Sequence, residues 1–181
     1  MGILNVHDRM PDFCCPTPFQ PELKLYDALQ RVEGKTALVF LRYYGCPICQ
    51  LDIREFAESY DAITAAGGQL LVVLQSDPAR LAAQLTPDAL PFDILCDPEQ
   101  TLYREFAIEP ASSMLKMMSF AALKKIVRST KRGFKHGDYE GIEEQLPAAF
   151  LLQRDGTVLW AHYGKDVGDV PTARELAERM K

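Results

Sequence analysis

The stretch TALVFLRYYGCPICQ, residues 36–50, decides the fold. Its first half, Thr36 to Arg42, is apolar and partly β-branched, the pattern of a strand buried on both faces. Its second half turns at Gly45 and places Pro47 directly after Cys46, the position where proline favours the first turn of a helix. Beyond it, Cys49, Ile53, Phe56, Tyr60 and Ile63 recur at spacings of three and four, one face of a helix expected to run to Gly67-Gly68. A strand therefore feeds a helix through a turn that carries two cysteines, Cys46 and Cys49.

That placement has chemical consequences. A helix N-terminus offers free N–H groups and partial positive charge, and both favour a thiolate over a thiol. Cys46 is expected to be an exposed nucleophile with a lowered pKa, and Cys49, one turn into the helix, the more buried resolving partner. Tyr43, Tyr44, Gly45 and Pro47, which flank the nucleophile, are candidates for positioning substrate. The same spacing is half of a zinc site, but Cys14, Cys15, Cys96 and three scattered histidines offer no second pair of suitable spacing. The expectation is no cofactor beyond a redox-active Cys46–Cys49 disulfide.

Outward from the turn, Leu23 to Leu25 reads as a short strand in an N-terminal cover over residues 1–35. Leu70 to Leu74 and Phe92 to Cys96 read as further strands. Asp77-Pro78 and Asp97-Pro98 each have the form of an N-cap followed by a first-turn proline, the former opening a helix to about Leu85. Residues 110–146 form a basic helical insertion, with a helix expected from Ser113 to about Arg128. Phe150 to Gln153 and Val158 to His162 flank Asp155-Gly156, a hairpin signal, and Ala173, Leu176, Ala177 and Met180 mark a closing helix. Alternating strands and helices predict an α/β fold over residues 1–181, with a parallel sheet whose terminal hairpin adds an antiparallel edge.

Composition narrows the function. A net charge of −5 with 25% charged residues argues against nucleic acid as the main partner. The longest apolar runs fall far short of the roughly 20 residues of a membrane span. Five cysteines, an odd number without a scaffold pattern, suit a reducing, cytoplasmic compartment. Cys14 and Cys15 read either as a mobile resolving site or as small residues packed under the cover, and Cys96 as core. Lys116, Lys124, Lys125, Arg128, Lys131, Arg132 and Lys135 occur in residues 110–137 without an Asp or Glu. They form either a solvated cap or a docking surface for an anionic partner.

The order of elements resembles thioredoxin-like folds. The runs VFLRYYGCPICQLDIREF, PFDILCDPEQTLYREFAI and QLPAAFLLQRDGTVLWAHYG together resemble peroxiredoxin-like proteins of the alkyl hydroperoxide reductase/thiol-specific antioxidant (AhpC/TSA) family over about residues 11–169. The resemblance puts the redox cysteine at Cys46. It also implies groups that are absent: Val39 and Tyr43 stand where peroxiredoxins have proline and threonine, and Pro147 where they have a peroxide-binding arginine. PAAFLLQRDGTV looks instead like the segment of thioredoxin-like disulfide reductases that begins with a cis-proline, which makes a cis Leu146-Pro147 bond facing the dithiol the expectation. Thioredoxins bury an Asp six residues before the first cysteine where this chain has Phe40, so Asp52, Glu55 and His162 are unranked candidates for proton transfer.

The function expected is a thiol-disulfide oxidoreductase of peroxiredoxin-like type acting on disulfides or hydroperoxides, reduced by a thiol partner of thioredoxin or glutathione type, with a homodimer compatible. The alternatives are a true hydroperoxide reductase and a non-catalytic redox-sensing module.

Overall fold

In a computed structural model, which describes residues 2–113 and 117–181, a five-stranded sheet runs in the order β5-β4-β3-β6-β7. Its strands are β3 (Thr36–Phe40), β4 (Gln69–Leu74), β5 (Asp93–Cys96), β6 (Ala148–Leu152) and β7 (Val158–Tyr163). β3, β4 and β5 are parallel, while β6 pairs antiparallel with β3, and β7 with β6. A separate two-stranded ladder, β1 (Cys14–Cys15) with β2 (Leu23–Lys24), belongs to the N-terminal cover, which continues into α1 (Leu25–Leu29).

The period of two along β3 and β4 sorts side chains between two cores. Ala37, Val39, Leu70 and Val72 join one face, beneath α2 (Pro47–Glu58), α3 (Tyr60–Ala65) and α7 (Ala173–Met180). Leu38, Phe40, Leu71 and Val73 join the other, beneath the N-terminal cover, α1 and α5 (Thr101–Glu105). Phe40 meets Tyr103, Phe106 and Phe150 edge-on there. Each such fully buried side chain contributes about 1.5–3 kcal/mol. With both faces occupied, the apolar run before the cysteines is a central strand, and the turn after it lies at the sheet's C-terminal end.

Several boundaries differ from expectation. β3 ends at Phe40 rather than Arg42, which frees Arg42 to turn toward the dithiol. The first helix breaks at Ser59 into α2 and α3, and after the break Tyr60 meets Phe92 at 5.8 Å. Asp77 caps α4 (Pro78–Ala82) by accepting from Ala79 and Arg80, and that helix stops short of Leu85. Asp97 caps at a distance: its carboxylate accepts from the N–H groups of Thr101 and Leu102, and α5 starts at Thr101 behind a left-handed Gln100 (φ 55°). The basic helix is α6 (Phe120–Lys131), capped by Ser119, so its expected start near Ser113 is too early, and Met114 to Lys116 lie outside the described residues. Gly156, at φ 85°, closes the hairpin, and a Cβ there would meet the Tyr26 hydroxyl. Among the described residues no helix is long and apolar enough to cross a membrane.

Candidate active site

Cys46 is the N-cap of α2, with extended backbone (φ −73°, ψ 123°) and Pro47 next in the chain. Its Sγ accepts from the Cys49 N–H at 3.4 Å and from Arg42 Nη2 at 2.8 Å. Cys46 is lowered to about 6. The largest cause is the hydrogen bond from the Cys49 thiol, followed by burial, which opposes it, then the Arg42 charge and the N–H groups of Cys49 and Ile48. Cys49 moves the other way, well above the ordinary thiol, through burial first and the neighbouring Cys46 second. One sulfur is held as a thiolate and the other as the thiol that donates to it.

Arg42 was missed by sequence reasoning, although a cation that closes an otherwise apolar strand just before two cysteines was a legible signal. It is buried, and its Nη1 donates to the Glu143 carbonyl at 2.5 Å. That carbonyl belongs to a strap, residues 133–145, which closes over the turn. Gly137 N donates to Gly45 O at 2.8 Å, and a Cβ on Gly45 would lie 2.3 Å from the Asp138 carbonyl oxygen. Gln50 Nε2 donates to Lys135 O, Tyr43 Oη lies 3.2 Å from His136 Nε2, and Tyr44 N donates to Ser76 Oγ, which in turn donates to Glu140.

The strap corrects the expectation of an exposed nucleophile. Cys46 is 1% exposed and Cys49 4%, so the resolving thiol is no more covered than its partner. The cis expectation also fails. No cis bond occurs among the described residues, so Leu146-Pro147 is trans. Pro147 sits just before β6, where its missing N–H interrupts no ladder bond, and a trans proline is unstrained there. Pro147 nevertheless lines a small void together with Arg42 and Cys49, while Leu146 is half-buried against the core that holds both cysteines.

The remaining candidates separate cleanly. Asp52 is buried, with Oδ1 accepting from Lys125 Nζ at 2.6 Å. Glu55 pairs with Arg128, and His162 on β7 lies 3.0 Å from Asp169 Oδ1. Arg132 pairs with Glu58, so half of the basic residues described in the segment are tied to α2 as a cap. Cys15 and Cys96 are buried, and burial pushes each up to about 12, while Cys14 is exposed. All five cysteines are free. A cleft of about 280 Å³ lined by Phe19, Arg31, Tyr60 and Leu70 lies at the N-terminal ends of β4 and β5, the opposite end of the sheet from the dithiol.

Residues 6–161 match the AhpC/TSA family. The chain belongs to that family. It is accordingly a thiol-dependent oxidoreductase of peroxiredoxin-like type. Solved structures share its fold at low identity. Peroxidoxin BcpB from Mycobacterium tuberculosis is 13% identical, with a TM-score of 0.65 over 96% of this chain and 92% of that one. The reduced 2-Cys peroxiredoxin of Plasmodium vivax is 12% identical, with a TM-score of 0.66 over 95% and 78%. A putative thiol:disulfide interchange protein DsbE from Chlorobium tepidum is 21% identical, with a TM-score of 0.55 over 89% and 86%. No curated protein matches. Where the chain has Pro147 and no guanidinium, Arg42 places one 2.8 Å from the Cys46 sulfur.

Proposed function

We propose that Cys46 is the nucleophile and Cys49 the resolving thiol of a two-electron reductase whose oxidant is a disulfide. The Cys46 thiolate attacks one sulfur of the substrate and expels the other as a thiolate. Cys49 then displaces the bound half, leaving a Cys46–Cys49 disulfide that a thioredoxin- or glutathione-type thiol reduces again. The observation that carries this reading is the Arg42–Cys46–Cys49 arrangement, in which a buried guanidinium and a thiol both donate to one sulfur. Tyr43, Tyr44, Gly45 and Pro47 act by holding the turn, and Pro147 and Leu146 by walling the dithiol. Five unpaired cysteines suit a reducing, cytosolic setting.

The trans proline withdraws one argument for disulfides, and two observations favour a second reading in which the oxidant is a hydroperoxide. Arg42 provides a cationic donor at the sulfur, and a thiolate that is 1% exposed is reached more easily by a small oxidant than by a folded protein. Stopped-flow oxidation of the reduced protein by hydrogen peroxide and by a small disulfide separates the two. A peroxide rate orders of magnitude above that of free cysteine establishes the second reading, and a peroxide rate near free cysteine with fast disulfide exchange establishes the first. Inertness to both overturns the dithiol assignment.

A further inference from the structure

Asp52 follows Cys49 by three residues on α2, so the two share a helix face. It is 5% exposed, and while Oδ1 holds Lys125, Oδ2 has no hydrogen-bond partner among the described residues. A buried carboxylate oxygen without a partner is costly and calls for an explanation. Its surroundings supply one. Inward, Asp52 lines a void of about 10 Å³ together with Cys49, Arg42 and Pro147. That is roughly the room of one water. Outward, the same residue lines a groove of about 310 Å³ with Glu55, Lys125, Arg128 and Arg174. The carboxylate therefore stands between the resolving thiol and the protein surface.

We propose that Asp52 accepts the Cys49 proton during the resolving step and passes it to the outer groove, with Lys125 holding the carboxylate in place and ionised. This proposal rests on the dithiol reading given above. With half of the substrate bound to Cys46 as a mixed disulfide, the Cys49 S–H bond gives its proton to Asp52. The sulfur's electron pair forms the Cys49–Cys46 bond, the bond from Cys46 to the substrate sulfur breaks, and that sulfur leaves as a thiolate and takes up a proton from solvent. The dithiol supplies both electrons, and no further oxidant is involved.

The need for a base is physical. Burial, the largest cause and one that persists once Cys46 is in the mixed disulfide, holds the Cys49 thiol well above its ordinary value, so unaided its attacking form is scarce at neutral pH. Burial, the largest cause, raises Asp52 to about 6, against the charge and hydrogen bond of Lys125, which lower it. Glu55 on α2 and Cys46 push it up as well, while Arg42 faces it across the void and Arg128 of α6 and Arg174 of α7 across the groove. Above pH 6 the carboxylate is ionised and able to accept. Neither Glu55 nor His162 lines the void.

Dithiobis(nitrobenzoate) tests this in a Cys14→Ser background, which removes the exposed thiol, because its first thiolate is then released by Cys46 attack and its second by Cys49 resolution. Asp52→Asn is expected to slow the second release about a hundredfold relative to the first and to remove its inflection near pH 6. Lys125→Gln is expected to move that inflection to higher pH, since Lys125 lowers Asp52, with Lys125→Arg restoring it. The Lys125 pair of variants carries the test alone if Asp52→Asn does not fold. A second release unchanged in relative rate and in inflection overturns the relay and leaves the dithiol reading standing. The absence of a first release from the parent protein overturns both.

Discussion

Two corners of the same sheet bury cysteines and treat them in opposite ways. At the end of β3, Cys46 is 1% exposed and lowered to about 6, while at the end of β5, Cys96 is equally covered at 1% and raised to about 12. Burial is common to both, so burial cannot be what makes a thiol reactive; by itself it disfavours the charged form. What differs is the set of donors. Cys46 faces Arg42, the Cys49 thiol and two backbone N–H groups of a helix start. For Cys96, burial is followed only by neighbours that raise it, namely Cys15, Asp77 and Glu140.

The largest effect expected from breaking this contrast is at the reactive corner itself. Cys46→Ser abolishes turnover, Cys49→Ser leaves a mixed disulfide trapped on Cys46, and Cys96→Ala or Cys15→Ala leaves turnover intact. Mass spectrometry after a single turnover distinguishes the outcomes, and a mixed disulfide found on any other cysteine reverses the assignment. The sign of the pH dependence follows from the lowered value. Cys46 is a thiolate above about pH 6, so its alkylation rate is flat at neutral pH and falls about tenfold per unit below it. Cys96 and Cys15 stay unlabelled across that range.

Next in size is Arg42→Met. A hydrogen bond to a charged group is worth about 1.5–3 kcal/mol, and one pKa unit about 1.4 kcal/mol, so the Cys46 inflection moves up by about one to two units. Arg42→Lys recovers part of the shift, since it keeps the charge and loses the fork that also holds the Glu143 carbonyl. An inflection that stays near 6 in Arg42→Met assigns the lowering to the helix and to Cys49 alone.

What the sequence disclosed and what it hid follow the same division between local and distant causes. The strand, the strand-to-helix turn that carries both cysteines, the three parallel strands and the Asp155-Gly156 hairpin rest on periodicity and turn chemistry within a few residues, and they stand in the structure. The direction in which Arg42 turns was invisible, because the Glu143 carbonyl that holds it lies 101 positions away. Lys125 and Asp52 are 73 positions apart, so the sequence could not show that half of the described basic residues of a segment read as a solvated cap or a docking surface are ion-paired to α2. Leu146-Pro147 is trans, the default for an X–Pro bond, and the dipeptide carried no local signal for the cis form expected from the resemblance. Gly45 tests the distant part. In Gly45→Ala the added methyl meets the Asp138 backbone, which loosens the strap, raises the alkylation rate of Cys46 and costs about 1–3 kcal/mol of stability.

The smallest effect comes from moving the comparison to a helix start whose capping side chain is paired with a carboxylate. α7 is capped by Thr172, whose Oγ1 accepts from the Glu175 N–H at 3.2 Å, as the Cys46 sulfur accepts from Cys49 N at the start of α2. Thr172→Cys puts a thiol on that terminus, exposed to solvent and facing the carboxylate of Glu175 rather than a guanidinium. A helix N-terminus favours a negative charge by about 0.3–1 kcal/mol, which is less than one pKa unit, and the nearby carboxylate subtracts from it. The new thiol is therefore expected to titrate within about one unit of an ordinary cysteine, measured by alkylation against pH in a Cys46→Ser background. A value near 6 at this position means that the helix start alone accounts for the reactive corner and that Arg42 serves chiefly to hold the strap. A value close to the ordinary one leaves Arg42 and Cys49 as the groups that separate Cys46 from the buried thiol at the end of β5.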